Sequence, residues 1–315
     1  MGFKNPPNAL LNKQINVITL GDSHVEGVGV SSSQTFAAIL SSKYNIPTYN
    51  LGVQGYGPQQ MLSAYSLYGA KLKPKFVIFC YNGSLFKRAA LLQKGKMEGR
   101  IASRLTLDEK REKSSIINES VFLTALKIFF LELSEYRHKK VDLFIPENDQ
   151  SSKQDFIKYL TSYSSYYFSE DYFNAKDEAQ SKIVNESMEI TKKCIMEFCE
   201  EAQKNNSIPI IFVMPSFRYE LELLYPETYQ DKIKGSFIEV EYNGNKEVLM
   251  FCKMNNIHVI DGIGPLREYL RDYFLKSGTS VDYRKLPFFK IDGHPSQVAH
   301  EIYADTIYNY LSLIN

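Results

Sequence analysis

The chain has 315 residues, of which 44% are hydrophobic and 23% are charged, and its formal net charge is +1. This composition is typical of globular proteins, and the length is sufficient for one large α/β domain with an extensive core. A nearly neutral chain lacks the basic surface that a dedicated nucleic-acid or membrane-surface binder requires. We therefore expect no nucleic-acid partner.

The N-terminal region, residues 1–14, contains two prolines and several asparagines but no apolar segment of the kind found in signal peptides. A later apolar run, residues 121–133, is interrupted by Lys127 and Glu132 and is too short to cross a bilayer. The sequence as it stands predicts a cytoplasmic protein without a membrane span. Export or membrane anchoring is the alternative if an N-terminal signal had been removed.

The cysteines do not form a metal-binding or disulfide pattern. They are Cys80, Cys194, Cys199 and Cys252, and no two of them form a C-x-x-C pair. Because isolated cysteines behave as small apolar side chains, we expect buried free thiols, which fits a reducing compartment.

The first predicted strand ends beside a serine. Residues 15–20 form a short apolar run rich in β-branched side chains, and Gly21-Asp22-Ser23-His24 follows it directly. In an open α/β sheet, ligands bind at the carboxyl ends of the strands. Gly21 permits a sharp turn that raises the Ser23 hydroxyl out of the sheet, where a base could activate it as a nucleophile. The alternative is an ordinary turn, in which Asp22 or Ser23 caps the following segment.

Two further strand ends carry polar groups toward the same edge. Residues 47–51 predict a second strand, followed by a glycine-rich loop at residues 52–57 and a helix that opens at Pro58. Residues 76–81 are almost continuously apolar, as in a parallel strand covered on both faces, and Asn82 follows them. A serine, a glycine-rich loop and an asparagine are therefore predicted at one edge of one sheet.

The α/β pattern is interrupted between residues 85 and 185. Residues 121–136 have helical spacing of apolar side chains, whereas residues 156–173 are rich in tyrosine and serine without a clear period. We predict that residues 85–185 form a mainly helical insertion within a single domain that spans residues 1–315.

Helices and strands alternate again after the insertion. Residues 181–204 and 245–255 have helical spacing, and each precedes an apolar strand, at residues 208–215 and 257–261. A last helix opens at Pro295. The chain therefore predicts a doubly wound, three-layer α/β fold of about five parallel strands with helices on both faces of the sheet.

A second group of reactive side chains lies near the C-terminus, where the sequence reads Asp-Gly-His-Pro. Acyl transfer needs a nucleophile, a base, a group that holds the base in the right tautomer, and donors to the oxyanion. Ser23, His294 and Asp292 could supply the first three, and Gly55 and Asn82 the donors. The alternatives are structural: a turn cap for Asn82, a required φ for Gly55, a helix N-terminal carboxylate for Asp292 and a surface position for His294.

The sequence resembles the SGNH (GDSL-type) hydrolase family in four blocks that occur in the family's order. The first block is Gly21-Asp22-Ser23 with Gly27, although His24 stands where the family usually has leucine. The second block is similar to residues 50–57, in which the family's oxyanion-hole glycine falls on Gly55.

The other two blocks depart further from the family pattern. Asn82 matches the third block's asparagine, but the family's G-x-N-D reads Cys-Tyr-Asn-Gly here. Asp292 and His294 resemble the last block with one residue fewer between them, a spacing that some polysaccharide-acetylating relatives share in a different chain order. The resemblance covers the chain outside the insertion.

The resemblance implies a serine ester hydrolase that acts on short-chain acyl esters, in particular O-acetyl groups on carbohydrate. Its substrate would be a small-molecule or polysaccharide ester, with no cofactor. Ser23 would be the nucleophile, His294 the base and Asp292 its orienting carboxylate. The Ser23 and Gly55 N–H groups and the Asn82 amide would form the oxyanion hole. The alternatives are a carbohydrate O-acetyltransferase with the same triad and a non-catalytic glycan-binding module on this fold.

Two tyrosines adjoin the predicted oxyanion residues. Tyr56 follows Gly55 and Tyr81 precedes Asn82, so both are candidate substrate contacts through stacking or their hydroxyls. Core packing is the alternative in a chain with 22 tyrosines.

The stretch Asp22-Ser23-His24 also matches the D-x-H that opens the site of binuclear metallophosphatases. Such a site needs further histidine and acidic ligands. The chain has five histidines, and Asn82 is followed by Gly83 instead of histidine, so we expect no metal site. We interpret the other histidines as structural or surface residues, with His300 facing away from the apolar stripe of the last helix: His24, His138, His258 and His300.

Overall fold

Five strands form one parallel sheet. They are β1 Val17–Leu20, β2 Thr48–Asn50, β3 Phe76–Asn82, β4 Ile208–Met214 and β5 His258–Asp261, and their order across the sheet is β2-β1-β3-β4-β5. The computed structural model describes residues 2–10, 14–85, 89, 178–215, 237–277, 282–289 and 293–314, all within one compact unit. The predicted doubly wound α/β sheet is confirmed.

Seven α-helices accompany these strands in the described ranges. In chain order they are α1 Ser23–Glu26, α2 Phe36–Lys43, α3 Pro58–Ala64, α4 Glu178–Lys204, α5 Phe237–Met254, α6 Ile263–Ser277 and α7 Gln297–Ile314. None of these helices combines the length and the apolar character that crossing a membrane requires.

Two cores lie on opposite faces of the sheet, because successive side chains of a strand point to opposite faces. On one face, Val77 and Phe79 of β3 pack in a core that includes residues of α3, α4 and α5. On the other face, Ile78 and Cys80 pack with residues of α2, α6 and α7. The continuous apolar run at β3 is therefore that of a strand covered on both faces, as predicted.

Two of the longer described helices differ clearly from the sequence prediction. The helix predicted at residues 245–255 begins earlier, at Phe237, and α6 was not predicted. Its start contains Gly264 and Pro265, which in sequence suggest a turn. Proline is tolerated in the first helical turn, where its missing N–H has no partner within the helix. Asp261 also caps this end by accepting the Ile263 N–H at 2.8 Å.

The predicted insertion lies mostly outside the described residues. Residues 86–88 and 90–177 are not described, so the helical character of residues 85–185 and the single domain over residues 1–315 stay predictions. The helix predicted at residues 181–204 corresponds to α4.

The side chain of Asn50 joins three elements at the edge of the sheet. Its Nδ2 donates to the Val25 carbonyl of α1 at 2.7 Å, and its Oδ1 accepts the Gly52 N–H at 2.8 Å. The backbone of Asn50 pairs in turn with the side chain of Asn5, at 2.8 and 2.9 Å. The end of β2 is thereby fixed to α1, and its open backbone groups are satisfied by a side chain.

The loop after β2 packs directly on the backbone of α1. A Cβ at Gly52 would lie 2.5 Å from the Glu26 nitrogen and 2.8 Å from the Val25 carbonyl carbon. We therefore expect Gly52→Ala to lower the free energy of unfolding by about 1–3 kcal/mol, since the backbone of α1 would have to move.

Gly264→Ala is the matched control. A Cβ at this helical position would make only an ordinary contact, 3.5 Å from Asp261 Oδ2, so the change should be neutral or slightly stabilising. Denaturant unfolding of both variants checks the prediction, and equal stabilities would contradict it.

Candidate active site

Ser23 lies at the carboxyl end of β1, at the start of α1. The turn that carries it leaves no space for a side chain at Gly21, where a Cβ would lie 2.1 Å from Val25 Cγ2. Asp22 caps α1 by accepting the His24 N–H at 3.0 Å. The serine is nearly buried, with 5% of its surface exposed.

This edge is the switch point of the sheet. The chain leaves β1 for β2 on one side and then returns to β3 on the other side of β1. Ligands of doubly wound sheets bind at the crevice that this reversal opens. Ser23 follows β1, and Asn82 is the last residue of β3, so both flank the crevice.

The glycine-rich loop is hydrogen-bonded to α1. The Gln54 N–H donates to the Glu26 carboxylate at 2.5 Å, and the next residue, Gly55, is exposed with a φ of +84°. In the described part of the chain, the N–H groups of Gly55 and Ser23 make no hydrogen bond to another residue. Two backbone donors are therefore available at this edge for a ligand oxygen.

The N-terminal residues hold the far end of α1. Lys4 Nζ donates to the carbonyls of Gly27 and Val30, at 2.6 and 2.5 Å. Gly27 ends α1 with a φ of +82°, a conformation that glycine adopts without strain. The short helix that begins with Ser23 is thus fixed at both ends.

Asn82 is fully buried, and its side chain turns toward the Ser23 turn. Its Nδ2 lies 2.9 Å from His24 Nδ1 and 3.4 Å from Asp22 Oδ1. The imidazole of His24 is itself 3.6 Å from that carboxylate oxygen. The predicted oxyanion donor therefore belongs to a polar cluster of Asp22, His24 and Asn82.

His294 lies shortly before α7 and is half-buried. Its carbonyl accepts the Phe289 N–H at 2.8 Å, and Gly293 donates back to the Phe289 carbonyl at 3.0 Å with a φ of +69°. The His294 ring centre is 5.5 Å from that of His24. This places the predicted base beside the polar cluster, whereas Asp292 lies outside the described residues and its role stays a prediction.

His24 lies at this edge although the sequence predicted no functional role for it. We interpreted it as a structural or surface residue, and it is nearly buried and contacts Asn82, Asp22 and the ring of His294. The signal was its position directly after Ser23, where the family that the sequence resembles usually has leucine.

The two candidate tyrosines lie in different environments in the structure. Tyr81 is fully buried in the core on the α5 side of the sheet, where a Cβ at Gly244 would lie 3.2 Å from its hydroxyl. The substrate contact predicted for Tyr81 is therefore wrong. Tyr56 is half-buried beside the exposed Gly55 and stays a candidate.

We expected His300 to face away from the apolar stripe of α7. It is instead fully buried within that stripe. Its Nδ1 accepts the Phe36 N–H at 3.3 Å, and its ring stacks on that of Phe36 at 5.8 Å. Burial, together with the charges of His24 and Lys4, lowers the pKa of His300 to about 3. His258 is exposed and pairs with Tyr310, as a surface residue, and His138 is not described.

The four cysteines are buried free thiols, as predicted. Cys80 of β3 lies near the polar cluster, and burial, with the Asp22 carboxylate, raises the pKa of its thiol. Within the described ranges, no group of three or more histidine, cysteine or acidic side chains could hold a metal ion.

No family model matches the sequence, and no curated protein matches it. Solved structures to which the chain is similar include a GDSL-like lipase from Bacteroides thetaiotaomicron, at 12% identity and a TM-score of 0.44 over 96% of this chain and 90% of that one. A catalytic mutant of an acetylxylan esterase from Geobacillus stearothermophilus is 9% identical, with a TM-score of 0.46 over 95% and 96%. An α/β hydrolase from the Lake Arreo metagenome is 11% identical, with a TM-score of 0.42 over 95% and 96%.

The buried His300 makes the fold sensitive to acid. Its pKa falls from 6.5 to about 3 on folding, so the unfolded state binds the proton more tightly between these values. The contribution of His300 to the free energy of unfolding is therefore full above pH 6.5. It is lost as the pH falls toward 3, at roughly 1 kcal/mol per pH unit.

His300→Phe should keep the stacking on Phe36 but lose the acceptor, at a cost of about 1 kcal/mol at neutral pH. Its free energy of unfolding should then fall less steeply with acid than that of the wild type. Denaturant unfolding across the acid range checks this, with the exposed His258→Phe as control. An unchanged slope in His300→Phe would contradict the account.

Proposed function

We propose that this chain is a serine ester hydrolase whose nucleophile is Ser23. The observation that carries the proposal is the pair of backbone N–H groups, of Ser23 and Gly55, that make no hydrogen bond to another described residue beside a serine at the switch point. Asn82 and His294 add an amide and an imidazole at the same edge. A nucleophile, a base and preorganised donors are the parts that acyl transfer requires.

The reaction proceeds in two halves. Ser23 Oγ attacks the ester carbonyl while His294 takes its proton, and the tetrahedral oxyanion accepts hydrogen bonds from the Ser23 and Gly55 N–H groups and the Asn82 amide. Collapse expels the alcohol, which takes the proton from His294. Water then attacks the acyl-enzyme with His294 again as base, and the acid leaves as its bond to Ser23 Oγ breaks and Oγ takes the proton back from His294. Asp292 orients the His294 ring in this proposal.

The substrate is an ester with a short acyl group, and O-acetyl carbohydrate is the class we propose. Ser23 is only 5% exposed, which favours a small acyl group, whereas Gly55 beside it is open, with no atom within 4 Å of a Cβ placed there. An open edge accommodates a large hydrated alcohol that presents a single acyl group. Tyr56, half-buried next to Gly55, is the candidate aromatic contact with a sugar ring.

The proposal predicts the effects of three substitutions on hydrolysis of a small chromogenic acetyl ester. Ser23→Ala should lower kcat by a factor of about 1,000 or more, because no other described group replaces the nucleophile. Asn82→Ala should lower kcat by about 100-fold with little change in KM, since the amide acts on the oxyanion. His258→Ala, at the surface, is the matched control and should keep wild-type activity. Activity retained in Ser23→Ala would refute the assignment.

The same assay distinguishes a hydrolase from a transferase. A hydrolase releases acetate at the same rate when acetyl-free oligosaccharides are added, whereas an O-acetyltransferase with this triad forms acetylated sugar. We expect acetate and no acetylated sugar, measured by mass spectrometry of the products. Formation of acetylated sugar that depends on Ser23 would contradict the hydrolase proposal and support the transferase.

A further inference from the structure

His24 lies between the turn that carries Ser23 and the end of β3, and 8% of its surface is exposed. Its Nδ1 lies 2.9 Å from Asn82 Nδ2 and 3.6 Å from Asp22 Oδ1. The Asn82 nitrogen lies 3.4 Å from the same carboxylate oxygen. The three side chains therefore form a closed triangle beside the proposed oxyanion hole.

The direction of the hydrogen bond between His24 and Asn82 follows from which of their atoms can donate and which can accept. An amide NH2 group only donates, so His24 Nδ1 must accept, and the neutral imidazole carries its proton on Nε2. The reverse orientation of the Asn82 amide would turn its oxygen toward the Asp22 carboxylate and set two acceptors against each other. Asp22 therefore favours the orientation in which Asn82 donates.

We propose that His24 is a positioning residue for the oxyanion donor Asn82, and that it fills this role only as a neutral imidazole. The inference rests on the proposed esterase function. The 2.9 Å bond fixes the plane of the amide with one hydrogen. The second hydrogen donates to Asp22 over the longer distance of 3.4 Å, and the developing oxyanion competes with Asp22 for it. A leucine at this position would provide no acceptor.

Protonation of His24 reverses this arrangement. A proton on Nδ1 sets one donor against another, and the imidazolium pairs instead with Asp22. Asn82 is fully buried, so bulk water does not reach it as a substitute partner. Among the described residues, two further titratable groups face His24: His294, with ring centres 5.5 Å apart, and His300 of α7, which is coupled to it electrostatically. Their charged forms oppose a charge on His24, whereas Asp22 favours it.

The kinetic test uses His24→Leu and Asn82→Ala, singly and together, on the acetyl ester. His24→Leu should lower kcat by about tenfold at neutral pH, with KM nearly unchanged. In the Asn82→Ala background the same change should have no further effect, because His24 acts through Asn82. His258→Leu is the matched control at an exposed histidine and should keep wild-type kcat.

His24→Gln tests the protonation requirement. Its amide oxygen accepts a hydrogen bond without titrating, so kcat should return to within about threefold of the wild type. The acid limb of the pH profile of His24→Gln should require the loss of one proton fewer than that of the wild type. A merely structural role for His24 would leave both limbs the same.

A second readout does not depend on activity. Nitrogen NMR of the isotope-labelled wild type should show His24 as the Nε2–H tautomer above its pKa, and the Asn82 side-chain signals should shift as His24 titrates. An Nδ1–H tautomer, or Asn82 signals that ignore the titration, would overturn the inference. So would full activity of His24→Leu, or effects that multiply in the double variant. A wild-type protein that shows no Ser23-dependent turnover would instead refute the proposed function. The NMR result would still decide the role of His24.

Discussion

The site depends on the close packing of α1 against the two turns that flank it. A Cβ at Gly21 would overlap Val25, and a Cβ at Gly52 would lie 2.5 Å from the Glu26 nitrogen. Because neither glycine carries a side chain, the end of β1, the first turn of α1 and the loop after β2 pack closely as one layer. Asn50 closes this layer through the Val25 carbonyl and the Gly52 N–H. The donors of Ser23 and Gly55 are positioned by this packing.

The parts of the fold that could be predicted from sequence are those that burial dictates. Strands covered on both faces are continuously apolar, and polar groups that follow them must lie at the carboxyl edge, which fixed the positions of Ser23, Gly55 and Asn82. Tyr81 was misjudged because it adjoins Asn82 in sequence. Neighbours in a strand point to opposite faces, so a side chain next to Asn82 lies in the core instead of the site.

The histidines were harder to predict because their environments depend on partners far away in sequence. His300 is buried because its imidazole accepts the Phe36 N–H and stacks on the Phe36 ring. His24 is tied to Asn82 at the end of another strand. A polar side chain with a tertiary partner has the same appearance in sequence as one exposed to solvent.

The central claim is that Ser23 is an activated nucleophile served by His294. Incubation with a fluorophosphonate, followed by intact mass measurement and peptide mapping, tests it without knowledge of the natural substrate. The account predicts a single adduct on the peptide that contains Ser23, absent in Ser23→Ala and formed much more slowly in His294→Ala. An adduct on another residue, or an unmodified Ser23 in the folded wild type, would contradict it.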